Sequence, residues 1–303
     1  MIRRIYVSMP ADEWLTSAQN EMKWGVVERI ERLKYTPEIF TDPTGRKSLS
    51  AGIAWSAANA DEIARHCCGA AIIGLPRGTF KERRSWVNIP TEFNHYEGAL
   101  ARTLGLPMLI LAQQNLSRRV VFDYSFGPTI GTFPPGADKR WLDTPAFQVC
   151  FSQWEDLLKW RRDVFLGYCG GAAKKAEKLR AFLEDELDVS VLDWKRDFTP
   201  GRSILEEIEE ACSRCTAGIF LFSNDDDVVN PEGEREAAPR DNVVFEAGYF
   251  ASTKGKQRVL IVREEGTRMP ADLGGDIYAT LGKGKGKSLS DVKNSIRKFT
   301  LKI

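Results

Sequence analysis

One alternation, a short apolar strand followed by an amphipathic helix, occurs twice along this chain and limits its fold more than any single residue does. In the first half, residues 4–9 form a strand-like run. A helical stretch follows at 18–33, then a short strand at 37–40, a helix at 56–67 and an all-apolar strand at 70–75. A basic loop, a helix at 93–104 and a strand at 107–111 come next. In the second half, strand runs at 164–168, 189–192, 217–222 and 259–262 alternate with helical patterns at 172–187 and from Ser203, closing with a helix at 290–301. Continuously apolar strands between helices predict a mainly parallel sheet covered on both faces. The expected fold class is therefore α/β with two flavodoxin-like domains. The boundary is expected near residue 162, giving domains 1–162 and 163–303. Loops at 113–150 and an apparent capping box, Ser152-Gln153-Trp154-Glu155, lead up to it.

Composition narrows the function classes. The 303 residues carry 43 basic and 42 acidic side chains, a net charge of +1, which gives no global attraction for nucleic acid or a membrane surface. No apolar run approaches the length of a membrane span, and the first residues lack a signal-peptide core, so a cytoplasmic protein is expected. Six cysteines are too sparse for a disulfide framework. Cys212-Ser213-Arg214-Cys215 has no second ligand pair at zinc spacing, and no metal site is expected.

In parallel sheets, ligands bind beyond the carboxyl ends of the strands. That rim takes in the loops at 193–202 and 224–240. Immediately after the second loop stands Arg240-Asp241-Asn242-Val243-Val244-Phe245-Glu246-Ala247-Gly248-Tyr249-Phe250. Asp241 or Asn242 is a suitable N-cap, and Phe245 and Tyr249 share a face. Glu246 among aromatics is either an N-terminal-turn acid favoured in its ionised form by the helix end, or a reacting group. Trp194 and Phe198 either stack on a ligand or pack the rim. Arg202 binds a phosphate or makes a surface ion pair. Asp225, in the acidic run 225–227, binds ribose hydroxyls or is simply solvated.

Four ordered stretches carry a resemblance. They are Gly201–Glu206, Leu221–Asp227, Pro239–Phe250 and Met269–Tyr278. Together they resemble the bacterial Toll/interleukin-1 receptor (TIR)-like predicted nucleotide-binding domains over about the last 140 residues. Where relatives often carry a His-Gly-Arg-like run after the first strand, this chain has Gly167-Tyr168-Cys169-Gly170-Gly171. The resemblance implies cleavage of NAD⁺ at the nicotinamide–ribose bond, hydrolysing or cyclising it, with Glu246 as the catalytic carboxylate and NAD⁺ as substrate rather than cofactor. Expected substrate contacts are Tyr168, Trp194, Phe198, Arg202, Asp225, Asn242 and Phe245. It further implies a regulated antiphage effector that self-associates into a homo-oligomer when a nucleotide messenger or protein triggers it.

The first half is similar, more weakly, to nucleoside 2-deoxyribosyltransferase-like domains. Residues 5–10, 59–63 and 68–73 carry the likeness, with Pro90–Ala99, where Glu97 takes the place of the family's catalytic acid. That implies a second nucleotide site at Tyr6, Asp61 and Glu97, with the half acting as sensor or regulator. Arg77, Lys81, Arg83 and Arg84 form either an anion site or a solvated basic loop. Two alternative functions follow: a non-catalytic nucleotide sensor or adaptor, and base exchange between nucleosides through Glu97.

Overall fold

The computed structural model describes residues 3–40, 48–82, 85–127, 130–198, 201–229, 233–270, 278–282 and 289–302. Residues 271–277 of the late loop, the lysine–glycine run from 283, and Arg83 and Arg84 lie outside them. The chain divides into two compact units between Trp160 and Arg161.

The first unit contains β1 (Arg4–Ser8), α1 (Ser17–Arg32), β2 (Thr36–Glu38), α2 (Ala57–Arg65), β3 (Gly69–Gly74), β4 (Gly78–Glu82), β5 (Ser85–Ile89), α3 (Glu92–Thr103), β6 (Met108–Gln113), β7 (Ile130–Phe133) and α4 (Pro145–Trp160). Its main sheet has the order β2-β1-β3-β6-β7, with every pair parallel. Strand alternation sends successive residues to opposite faces. Ile5, Val7, Ala71 and Ile73 pack with α1 and α4 in one apolar layer. Tyr6, Ala70 and Ile72 pack with α2 and residues beside α3 in the other. Thr16 closes a capping box with Gln19 at the start of α1, and Thr91 accepts the Asn94 backbone N–H at the start of α3.

The second unit contains β8 (Arg162–Tyr168), α5 (Ala173–Ala181), β9 (Val191–Asp193), α6 (Trp194–Asp197), α7 (Ile204–Arg214), β10 (Cys215–Phe222), β11 (Asp226–Val229), β12 (Arg235–Ala238), α8 (Asp241–Lys254), β13 (Val259–Glu264), β14 (Tyr278–Leu281) and α9 (Leu289–Lys302). The sheet order is β9-β8-β10-β13-β14, again parallel throughout. In order of occurrence along each main sheet, both units therefore read 2-1-3-4-5, the flavodoxin-like order. At the centre, Phe165 stacks on Phe250 at 5.1 Å and on Phe198 at 5.9 Å. Each such ring contributes roughly 1.5–3 kcal/mol when fully buried.

Several sequence expectations are corrected. The basic loop at 77–84 is largely an antiparallel hairpin of β4 and β5, and the acidic loop at 224–239 holds a second hairpin of β11 and β12. Pairing across a turn made strands of segments whose polar composition reads as loop. Ser152 is interior to α4, which starts at Pro145, so its hydroxyl returns to the Val149 carbonyl instead of capping. Within the loop-rich 113–150 segment, β7 adds an edge strand. Among the described residues no disulfide joins any of the six cysteines.

Candidate functional site

In a 2-1-3-4-5 sheet the chain reverses direction between the first and third strands, leaving a crevice at their carboxyl ends. In the second unit these are β8 and β10. A cavity of about 530 Å³ opens there, lined by Tyr168 at the end of β8 and by residues just past both strand ends: Cys169 and Gly170, and Ser223, Asn224 and Asp225. Helix α8, which follows β10 by way of the β11–β12 hairpin, contributes Asn242, Val243 and Glu246, and α6 and its exit contribute Trp194 and Phe198.

Glu246 is 8% exposed, and its Oε2 has no hydrogen-bond partner. Gly167 makes room for it: a Cβ there would lie 2.8 Å from Oε2 and 2.5 Å from the Phe220 ring. Burial alone pushes the carboxyl up from 4.5 to about 7. This corrects the expectation that the helix end favours the ionised form. The N-cap is Arg240, without a side-chain cap, rather than Asp241 or Asn242. Glu246 is thus the sixth residue of α8, beyond the first turn over which a helix terminus acts, and desolvation wins.

The walls are fixed by bonds among themselves. The Tyr168 hydroxyl donates to Asp193 at 2.7 Å, and the Trp194 indole N–H donates to the Tyr168 carbonyl at 2.9 Å. Burial, then the Asp193 carboxylate, pushes the Tyr168 phenol up, so it stays a donor. Phe198 lies against the core through Phe165. Ser223 donates to Asp225 at 2.9 Å, and the Cys169 thiol also points to Asp225. On another side, Lys175 pairs with Glu264, which also accepts the Asn224 backbone N–H.

Of the residues singled out in sequence, the cavity brings together Glu246, Tyr168, Trp194, Phe198, Asp225 and Asn242. It does not include Arg202 or Phe245. Arg202 pairs with Glu207 and Glu210 on α7. Phe245, 53% exposed, faces Tyr249 on the outer side of α8, because one residue step turns it about 100° from Glu246. Sequence reading missed Cys169, Ser223, Lys175, Arg240 and Glu264. Cys169 and Ser223 each stand one residue past a strand's carboxyl end, a signal that could have found them.

The first unit places its own acid at the matching point. Glu97, on α3 after β3, lines a cavity of about 160 Å³ with Met9, Phe40, Trp55, Arg77 and Phe93. Tyr6 donates to Glu97 at 2.9 Å, Trp55 donates at 2.8 Å, and Ser8 bonds to it as well. Burial pushes this carboxyl up, against the three donors that pull it down. Asp61 is not part of the cavity: it pairs with Arg65 one turn along α2. Lys81 is also outside it, whereas Arg77 reaches its mouth.

Residues 163–283 match the family described as CAP12/Pycsar effector protein, TIR domain. The chain is 34% identical to CD-NTase-associated protein 12 of Sphingobacterium faecium over 118 residues, 38% of this chain and 36% of that protein. It is 38% identical to Pycsar effector protein BcPycTIR of Burkholderia cepacia over 73 residues, 23% of this chain and 24% of that protein. To Pycsar effector protein PaPycTIR of Pseudomonas aeruginosa it is 33% identical over 101 residues, 33% of this chain and 32% of that protein. The chain thus spans between 24% and 36% of the length of these three relatives. Residues 163–283 form a TIR domain of the CAP12/Pycsar kind.

Proposed function

We propose that the second unit cleaves NAD⁺ at the nicotinamide–ribose bond, with Glu246 as the catalytic carboxylate. The observation that carries this reading is an unpartnered, buried acid facing a roomy cavity at the switch point of the sheet. An acid left without a partner is costly to the fold, and such groups collect at functional sites. One carboxylate suffices for this bond. An O-glycoside needs a second acid to protonate its leaving oxygen. Nicotinamide departs from a pyridinium, taking the bonding pair and leaving neutral, so no proton is required. Positive charge then develops on the ribose, where ionised Glu246 stabilises it electrostatically. Water adding to C1′ gives up a proton, and a group that titrates near 7 can accept it. Attack from within the substrate instead gives a cyclic product.

Trp194 adds an aromatic ring to the cavity lining, and Asp225, with Ser223, offers acceptors suited to ribose hydroxyls. Lys175, paired with Glu264, and Arg240, paired with Asp226, are the cationic groups of the cavity wall that would meet the pyrophosphate. Two relatives are named Pycsar effector proteins, which supports an effector role. The role in this reading is antiphage defence, with activity held back until a nucleotide or protein signal drives self-association. Among the described residues no helix is long and apolar enough to cross a membrane. In this reading the first unit is the regulator.

The test is nicotinamide release from NAD⁺, followed over a protein concentration series with product identification. Glu246→Ala should abolish release while the protein stays folded by circular dichroism. Equal turnover by the variant would remove the assignment.

A further inference from the structure

Three rings that wall the cavity of the second unit, Tyr168, Trp194 and Phe198, trace back to one carboxylate that is not in the lining. Asp193 ends β9 and is 5% exposed. Its Oδ1 accepts the Tyr168 hydroxyl at 2.7 Å and the Lys195 backbone N–H at 3.1 Å. The second bond makes Asp193 the N-cap of α6. That helix is a single turn of four residues, too short to hold its shape on its own, so its cap matters more than in a long helix. Its first residue is Trp194, and its C-cap is Phe198, whose N–H returns to the Trp194 carbonyl at 3.2 Å. The Trp194 indole N–H reaches the Tyr168 carbonyl at 2.9 Å, and the two rings lie 5.6 Å apart. On the other side of Asp193, Arg180 of α5 places a countercharge 3.6 Å from Oδ2.

We propose that Asp193 is a positioning residue of this cavity: one buried oxygen fixes where Tyr168, Trp194 and Phe198 stand, and so fixes the slot that receives a flat ring of the substrate. Asp193 does not touch the substrate and acts only through those side chains. The proposal rests on NAD⁺ as the ligand of the cavity, and it does not require that the ligand be cleaved. Contacts to a substrate ring are the same in the ground state and the transition state, so they set affinity and leave the bond-breaking step alone. Asp193 and Glu246 thus divide the work, the first governing KM and the second kcat. Because both bonds end on Oδ1, an asparagine can keep them through its carbonyl oxygen and loses only the charge facing Arg180.

The test is titration calorimetry with NAD⁺ on the full chain carrying Glu246→Gln, so that the ligand is not consumed. Adding Asp193→Ala should weaken binding about tenfold, the effect of misplacing stacking rings without deleting them. Asp193→Asn should weaken it by no more than about twofold, since both bonds survive. Tyr168→Phe releases one bond and should weaken binding about threefold on its own, but less when added to Asp193→Ala, because the two act through one contact. If the alanine variant does not fold, Asp193→Ser takes its place: it keeps a cap oxygen but stops one bond short of Tyr168. Unchanged binding in Asp193→Ala, equal losses in the alanine and asparagine variants, or no NAD⁺ binding by any form would each overturn the proposal. Nicotinamide release is measured separately with Glu246 in place. Its absence, with the binding pattern intact, would remove the cleavage reading and leave Asp193 in its role. Where release occurs, Asp193→Ala should raise KM and keep kcat within about twofold of wild type. A fall in kcat with KM unchanged would overturn the positioning role.

Discussion

Two acids occupy one topological position in two units of the same strand order, and their surroundings differ completely. Glu97 is met by three donors in a small cavity closed over by an indole. Glu246 meets none at Oε2, in a cavity about three times larger. Both are raised by burial, but only for Glu97 do hydrogen bonds oppose the shift. A satisfied buried acid is a structural element that stabilises what surrounds it. An unsatisfied one weakens the fold in return for reactivity. The same helix position therefore holds a bonded acid in one unit and a buried acid with an unpartnered oxygen in the other.

The largest effect expected from this contrast is an exchange of activity for stability at Glu246. Glu246→Gln should lower NAD⁺ turnover by about 10²–10³-fold, the usual loss when one electrostatic contributor is removed. It should also stabilise the protein at pH 8. The folded value, about 7, lies above the ordinary 4.5, so the folded form holds the proton more tightly. Wild-type stability from this group is fully present below pH 4.5 and is lost as the pH rises through about 7, by up to about 3 kcal/mol. Denaturant melts of both proteins at pH 5 and pH 8 measure it. A wild type that gains on the variant between pH 5 and pH 8 would contradict the unpartnered burial of Glu246.

The opposite sign is expected at the partner position. Glu97→Ala strands the buried Tyr6 hydroxyl and the Trp55 indole N–H, each costing about 1–3 kcal/mol. It should lower the stability of the first unit by several-fold more than an average surface change. Thermal melts of the variant and wild type read the outcome.

The contrast was only partly legible in the sequence. The shared fold was, because apolar strand runs such as 70–75 and 217–222 between helical periods admit few other arrangements. The position of both acids on the helix after the third strand of the main sheet was also legible, since that helix opens at a strand's carboxyl rim. Their charge states were not. Proximity to a helix start suggested an ionised Glu246, but burial raises its carboxyl, and Gly167, which leaves room for Oε2, is distant in sequence. Trp55 could not be connected to Glu97 either, because a contact across 42 positions leaves no local pattern. Phe245 and Arg202 were drawn in by adjacency to the motif, and only the helix turn and the acids of α7 turn them elsewhere.

A smaller effect separates the two acids by pH. In the free enzyme, kcat/KM for NAD⁺ should rise with pH through about 7 as Glu246 ionises, and level off above it. In Glu97→Gln the profile should keep the same midpoint. A flat profile between pH 5.5 and 8.5 would mean that Glu246 is not the group whose ionisation limits turnover.

The smallest effect is expected at Arg202, and it tests how far the site extends along the rim. Its guanidinium is engaged by Glu207 and Glu210 of α7, and it does not line the cavity. Glu210 is partly exposed and adds little, whereas Glu207 is buried and loses its ion pair when the guanidinium goes. Arg202→Ala should therefore leave KM for NAD⁺ close to wild type and lower the melting temperature only through Glu207. Arg240 is also paired, with Asp226, but it lines the cavity, and Arg240→Ala should raise KM. The two arginines flank the same crevice in sequence, one before α7 and one before α8. A rise in KM on losing Arg202, with none on losing Arg240, would place the pyrophosphate on the α7 side and move the substrate across the cavity from where Lys175 and Arg240 would hold it.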